Sequence, residues 1–212
     1  MSRSHPRVFQ TAVCLAVFVC LCSAQLPAAD REMLRVYWSH FWTGAGFDIF
    51  SANPDYSDRQ AIVDVDAADW GYMRELHLEQ SGQKLYWYRT DGTGAEMILR
   101  VNIDGTERED DFITGLDRIR GITFNRAANH IYWTETATTS GDERIGRADL
   151  RDGSDITTVA DSSATGSHPT TPVYHPSNAH IYWVDNDQIR RVDTTSGLPH
   201  STSELVYDLD PL

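Results

Sequence analysis

A pair of aromatic residues, Tyr-Trp preceded by an aliphatic residue, recurs four times and constrains the fold more than any other feature. The pairs are Tyr37-Trp38, Tyr86-Trp87, Tyr132-Trp133 and Tyr182-Trp183. Their tyrosines lie 49, 46 and 50 residues apart, and the pairs contain four of the six tryptophans in the chain. A fixed period of this size is typical of a repeated supersecondary unit, so the sequence predicts a repeat protein.

The segments around the third pair predict four short antiparallel strands. Each segment is apolar or alternating and is bounded by Asp-, Gly- and Asn-rich turns, of which Asp152-Gly153 is a hairpin signal. The predicted strands are Ile119–Phe124, His130–Thr134, Arg144–Leu150 and Asp155–Ala160. Four antiparallel strands in fewer than about 50 residues form one blade of a propeller. The predicted fold class is therefore all-β.

Three landmarks in register carry a resemblance to a known family. The third copy has Ile131-Tyr132-Trp133-Thr134-Glu135, then Ile145-Gly146-Arg147, then Asp152-Gly153-Ser154. This pattern resembles the low-density lipoprotein receptor class B repeat, also called the YWTD repeat. The second and first copies depart from it, because Arg89 and His40 stand where the acidic residue is expected.

The resemblance implies a six-bladed β-propeller that is extracellular, binds protein ligands on one face and is not an enzyme. It also implies that the repeated aromatic pairs are blade core and that the arginines of Ile-x-Arg donate hydrogen bonds between blades. The residues given this structural role are Tyr37, Trp38, Tyr86, Trp87, Tyr132, Trp133, Tyr182, Trp183, Arg100, Arg147, Arg191, Gly105 and Gly153.

The repeat length allows about four blades, which is incomplete relative to the six-bladed family fold. The approximate blade phases are 33–66, 73–114, 118–161 and 171–209 within a propeller region 33–212. The first copy is expected to lack its innermost strand, which would leave open sheet edges at both ends. Three interpretations stay open: a fragment or shortened relative, assembly with a second copy, and imperfect closure with four blades.

The N-terminus predicts export. Residues 1–24 combine Arg3 and Arg7 with an apolar stretch and small residues at Ser23-Ala24, the pattern of a cleaved signal peptide. Residues 25–32 form a short tail. Cleavage leaves 188 of the 212 residues and removes all three cysteines. We therefore expect a secreted or periplasmic protein that has no disulfide and does not insert into the membrane after cleavage.

Charge limits the classes of partner. The full chain has a net charge of −13, which becomes about −15 without the two signal-peptide arginines. Such a field repels phosphate backbones, so no nucleic-acid partner is predicted, and cations or a basic protein surface fit it better. The alternative is that the charge serves solubility alone.

Two tryptophans outside the repeat register, Trp42 and Trp70, fall on predicted loops, with Tyr72 nearby. Aromatic residues on the loops of a rigid scaffold are typical anchors of a binding surface. These three residues are the predicted site for a protein or glycan ligand. The alternative is that they fill the incomplete side of the first blade.

No nucleophile elbow, phosphate-binding loop or dinucleotide fingerprint is present. Asp-rich turns such as Asp185-Asn186-Asp187 offer ligands for calcium but lack the rest of a defined loop, so no cofactor, metal or catalytic residue is predicted. Two alternatives to a binding module remain. One is a lactonase- or lyase-like propeller enzyme with a channel metal near Glu75, His77, Arg120 and Tyr174, and the other is an assembly module that pairs through open blade edges.

Overall fold

The computed structural model describes residues 35–42, 46–65, 73–90, 95–136 and 143–208, and nearly all of its regular structure is β-strand. The chain divides into two compact units, Met1–Asp69 and Trp70–Leu212. The predicted signal peptide and the tail at residues 25–32 lie outside the described residues, and so do Trp70 and Tyr72.

The first unit contains one three-stranded antiparallel sheet, the first sheet. Its strands are β1 (Val36–Trp42), β2 (Gly46–Ala52) and β3 (Gln60–Val65), in the order β1-β2-β3. Trp38 pairs with Phe50 across the first two strands. The aromatic pair of this sheet therefore lies on its first described strand.

The second unit contains three four-stranded antiparallel sheets that follow one another along the chain. The second sheet has strands β4 (Met73–Glu79), β5 (Lys84–Thr90), β6 (Glu96–Asn102) and β7 (Glu109–Leu116). The third has β8 (Arg118–Asn125), β9 (His130–Thr136), β10 (Arg144–Asp149) and β11 (Thr157–Ala160). The fourth has β12 (Pro169–His175), β13 (His180–Asp185), β14 (Gln188–Asp193) and β15 (Glu204–Asp208). One short helix, α1 (Ser162–Thr165), joins the third and fourth sheets.

The core of the second unit lies between consecutive sheets. Trp133 packs in one cluster with Tyr86, Tyr88 and Ile98, and Trp183 packs in another with Tyr132 and Ile145. Trp87, Trp133 and Trp183 are 0%, 0% and 1% exposed. Burying a side chain of this size contributes on the order of 5 kcal/mol, so the aromatic pairs are the main apolar contribution of each sheet.

Tight turns between the third and fourth strands set the distance between sheets. Gly153 has φ +73°, and a Cβ at this position would meet the carbonyl oxygen of Phe112 on the preceding sheet. The Asp152 carboxylate accepts hydrogen bonds from the backbone amide and the hydroxyl of Ser154. Glycine is therefore required here by both the left-handed backbone and the close approach of two sheets.

The structure confirms the predicted all-β, propeller-type fold with four repeated sheets, and the strand boundaries differ from the sequence prediction by one or two residues. The fourth strand of the third sheet begins at Thr157 rather than Asp155, since Asp155 has φ +56°, a left-handed conformation that a strand does not adopt.

Candidate functional site

The loops of the second unit converge at one end of each sheet. In a four-stranded antiparallel meander, the start of the first strand, the end of the second, the start of the third and the end of the fourth share one end. The residues at or next to this end of the third sheet are Asp117, Glu135, Arg144 and Asp161. We call this end the loop face.

Glu135 fixes the loop face of the third sheet. It is 3% exposed, and its Oε1 accepts hydrogen bonds from Trp133 Nε1 at 2.5 Å and from Arg144 Nε at 3.0 Å. Its Oε2 accepts a bond from the backbone amide of Asp117 at 3.2 Å. The acidic residue after Tyr-Trp therefore joins the core tryptophan to the segment by which the chain enters the sheet.

Asp185 has a similar role in the fourth sheet. Its carboxylate accepts bonds from the backbone amide of His168 and from the Asn186 side chain, both at 3.2 Å, and lies 3.2 Å from Arg190 Nε. Trp183 Nε1 donates to the carbonyl of Thr165. The repeat acid is thus architectural in both sheets that retain it.

A second set of repeated acids was missed by the sequence analysis. Glu96, Glu143 and Asp187 each stand two residues before the isoleucine of Ile-x-Arg, at the start of the third strand. Glu96 accepts a hydrogen bond from the backbone amide of Ile119 on the next sheet, and burial raises the pKa of its carboxyl. The signal was available in the sequence, because the spacing to Ile-x-Arg is constant in three copies.

Two of these acids, Glu143 and Asp187, line clefts on the loop face. The larger, about 420 Å³, is bordered by Asp117, Glu135, Glu143 and Asp161 with Arg144. The smaller, about 350 Å³, is bordered by Asp185, Asp187 and Asp208 with Arg190. Among the described residues that line each cleft, carboxylates outnumber arginines, so both clefts attract cationic groups.

Of the three aromatic residues predicted to bind a ligand, Trp42 alone lies within the described residues. Trp42 ends β1, at the strand end that matches the loop face of the other sheets. Trp70 and Tyr72 lie outside the described residues, so the prediction of a Trp42, Trp70 and Tyr72 site stays a prediction.

The predicted inter-blade arginines occupy different environments. Arg100 is 5% exposed and donates to the carbonyls of Leu150 and Arg151 on the third sheet and to the Glu109 carboxylate. Arg191 donates instead within its own sheet, to Glu204 and to the Tyr182 hydroxyl.

In the first sheet, Ser51 stands where the other sheets have the arginine of Ile-x-Arg, and Arg35, just before β1, donates hydrogen bonds to it. The Arg35 guanidinium donates to Ser51 Oγ at 2.9 Å, to the carbonyl of Asp58 and to the Asp58 carboxylate. The guanidinium of Arg59 lies 4.0 Å from the centre of the Phe50 ring. In the divergent first copy, Arg35 and Arg59 therefore supply the guanidinium contacts of the sheet.

The alternative channel-metal residues lie on the first strands of the three complete sheets. His77 Nε2 lies 3.1 Å from Glu75 Oε2, Arg120 donates to Thr136, and the Tyr174 ring stacks on Tyr132. Among the described residues, no group of three or more His, Cys, Asp or Glu side chains is placed to hold a metal ion. In the same part of the chain, no helix is long and apolar enough to cross a bilayer.

Comparison with curated proteins finds low-density lipoprotein receptor-related protein 5. The mouse protein is 32% identical over 159 residues, which cover 74% of this chain and 9% of the mouse protein. The human protein is 31% identical over 105 residues, covering 49% of this chain and 6% of the human protein. The chain thus spans less than a tenth of the length of these relatives. No family model matches the chain.

Solved structures match across most of the chain. A chain in the crystal structure of a nidogen–laminin complex matches with a TM-score of 0.63 and 21% identity, covering 82% of this chain and 61% of that chain. TolB from Acinetobacter baumannii gives 0.58 and 12%, covering 84% and 42%. A gluconolactonase from Xanthomonas campestris gives 0.56 and 14%, covering 76% and 55%.

The four repeated sheets and these structural matches define the protein as a β-propeller chain. Its Tyr-Trp landmarks and its similarity to low-density lipoprotein receptor-related protein 5 support the particular kind, a propeller of the low-density lipoprotein receptor class B, or YWTD, repeat type.

Proposed function

We propose that this chain is an exported, non-enzymatic interaction module that binds a basic protein surface through the loop face of its sheets. The observation that carries the proposal is the recurrence of acids on that face. Asp117, Glu143 and Asp161 border one cleft and Asp185 and Asp187 the other.

A protein partner fits this face better than a small substrate. Both clefts are open and lined mainly by polar side chains, whereas sites for small molecules are enclosed and mostly apolar. Family resemblance supports the same class of partner, and the nidogen match comes from a complex with laminin. A net charge of −13 adds long-range attraction for a cationic partner and repels acidic ones.

The test of this function is a screen of the immobilised chain against purified extracellular proteins that range from acidic to basic isoelectric points. We expect saturable binding by a basic member and a loss of at least about tenfold in the double variant Asp117→Lys, Asp187→Lys. Asp111→Lys is the matched control, because Asp111 is an exposed acid on β7, away from the clefts.

Binding that survives the double variant, or that is lost equally in Asp111→Lys, would refute the loop face as the site. The variants Trp42→Ala and Trp70→Ala test the aromatic site separately. If the two aromatics are the anchors, both variants lose the partner while the unfolding midpoint stays close to that of the parent chain.

Export is tested independently. The chain expressed with its own N-terminus should be recovered outside the cytoplasm with Gln25 as its first residue. Recovery of an intact chain that begins at Met1 would contradict this part of the proposal.

A further inference from the structure

Each sheet of the second unit has two different faces, because successive side chains of a strand point to opposite sides. One face carries the tryptophan of the aromatic pair and the other carries the tyrosine. Trp133 of the third sheet packs with Tyr86 and Tyr88 of the second, and Trp183 of the fourth packs with Tyr132 of the third. The observed rule is that a tryptophan face covers the tyrosine face of the preceding sheet.

The tyrosine face of the fourth sheet departs from this burial pattern. Tyr86 and Tyr132 are 1% and 0% exposed, whereas Tyr182 is partly exposed. The paired residues Ile98 and Ile113 of the second sheet are buried, but their counterparts in the fourth sheet are the partly exposed Ile189 and Tyr207, which is 60% exposed.

Arg191 on this face has donors available for a neighbour. Its counterpart Arg100 holds Glu109 and also donates to two carbonyls in the turn of the covering sheet. Arg191 holds Glu204 in the same way, but the hydrogen bonds described for it stay within the fourth sheet. The tyrosine face of the fourth sheet therefore keeps the arginine–glutamate pair that, in the second sheet, contacts the turn between the third and fourth strands of the covering sheet.

The first sheet has a matching tryptophan face. Trp38 is partly exposed, while the other three repeat tryptophans are at most 1% exposed. The adjacent turn carries Asp55 and Asp58, whose carboxyls have lowered pKa values because of hydrogen bonds from Ser57 and Arg35 respectively. It also carries Tyr56, which is 72% exposed and packs edge-on to Trp38.

We propose that the tyrosine face of the fourth sheet is a docking surface for the Trp38 face of the first sheet of a second copy of this chain. The two faces follow the tryptophan-on-tyrosine rule seen twice in the second unit, and the acidic turn of one meets Arg191 of the other. Because each copy carries one face of each kind, two copies offer each other two such contacts. This surface is separate from the loop face.

The turn of the first sheet must approach the fourth sheet of the second copy less closely than the Gly153 turn approaches the second sheet. Tyr56 stands at the position that glycine occupies in the turns of the second and third sheets. Tyr207 stands in place of Ile113 on the opposing strand. The two exposed tyrosines therefore fall at the same place in the proposed contact, where their rings fill the wider separation.

Light scattering after size-exclusion chromatography tests the proposal with the full chain. We expect the parent chain to show twice the monomer mass. Tyr207→Glu blocks the fourth-sheet face and Tyr56→Glu blocks the first-sheet face, so each variant alone should lose the dimer. Both positions are well exposed, so neither change removes a core contact. Ile156→Glu is the matched control, because Ile156 is exposed on a turn of the third sheet and should leave the mass unchanged.

Mixing the two blocked variants is the decisive step. Each retains the face that the other lacks, so the mixture should recover a species of twice the monomer mass through one intact contact. A parent chain that is monomeric at every concentration would overturn the proposal. A dimer that survives Tyr56→Glu would also overturn it, since that dimer would pair two fourth sheets instead. Either failure leaves the loop-face function untouched.

Discussion

At the scale of single residues, two glycines with nearly the same φ have different surroundings. Gly153 and Gly115 have φ of +73° and +72°, but only Gly153 faces a backbone atom of another sheet. A Cβ at Gly115 would meet nothing within 4 Å. A substitution at Gly115 therefore reports the cost of a left-handed backbone alone, whereas one at Gly153 also reports the cost of pushing two sheets apart.

We predict that Gly153→Ala lowers the free energy of unfolding by about 2–5 kcal/mol, of which about 1–2 is backbone strain and the rest is steric overlap. Gly115→Ala should cost only the strain, about 1–2 kcal/mol. Urea unfolding of both variants measures the difference. Equal losses would show that the close approach at Gly153 contributes nothing.

Asp149 gives a prediction for pH. Hydrogen bonds from the Arg151 side chain and backbone lower the pKa of its carboxyl from 3.8 to about 2. A lowered folded-state pKa stabilises the fold above the unfolded-state value, and this contribution is lost as pH falls through the folded-state value. The stability difference between the parent chain and Asp149→Asn should therefore be constant above about pH 5 and shrink between about pH 4 and 2. Chemical unfolding at several pH values measures this difference, and one that does not change down to pH 2 would contradict the assignment.

At the scale of sheets and strands, one arginine joins the second sheet to the third. Arg100 is buried, holds Glu109 in a two-point contact and donates to the carbonyls of Leu150 and Arg151. Its guanidinium also lies 3.8 Å from the centre of the Phe112 ring. Lysine cannot make the planar, forked set of bonds that these partners require.

We predict that Arg100→Lys lowers the free energy of unfolding by about 2–4 kcal/mol, because buried acceptors lose their donors. Arg191→Lys, at the matching position on the partly exposed face, should cost less than about 1 kcal/mol in the monomer. Thermal or urea unfolding under monomeric conditions measures both. A loss at Arg191 as large as at Arg100 would contradict the partial exposure of the fourth-sheet face in the monomer.

The repeat period made the sheets predictable, whereas sequence reasoning missed both Arg35, which lies outside the period, and the acids before Ile-x-Arg, which follow it. Tyr132-Trp133 and Asp152-Gly153 set the phase of strands and turns, because both depend on local packing and backbone geometry. Arg35 could not be predicted as the substitute for arginine at Ser51, since it reaches across from a position 16 residues earlier in the chain. The acids Glu96, Glu143 and Asp187 had a detectable spacing, but their position at the same end of each sheet follows only from the strand order.

At the scale of the whole molecule, the net charge and the position of the repeated acids both favour a basic partner. The chain carries 31 acidic and 18 basic residues, and the repeat places acids at the loop face of consecutive sheets. Binding to a basic partner should therefore weaken as salt rises from about 50 to 500 mM, since the Debye length falls from about 14 to 4 Å. A salt-independent affinity, measured by surface plasmon resonance, would argue against an electrostatic contact.

The location of the binding surface is the central claim, and hydrogen exchange of the chain with and without a bound basic protein tests it most directly. We predict that protection on binding is concentrated in residues 114–118, 135–144, 161–168 and 185–188, while the turns at 102–106 and 149–154 at the other end of the sheets are unchanged. Protection of those turns with no change on the loop face would contradict the account.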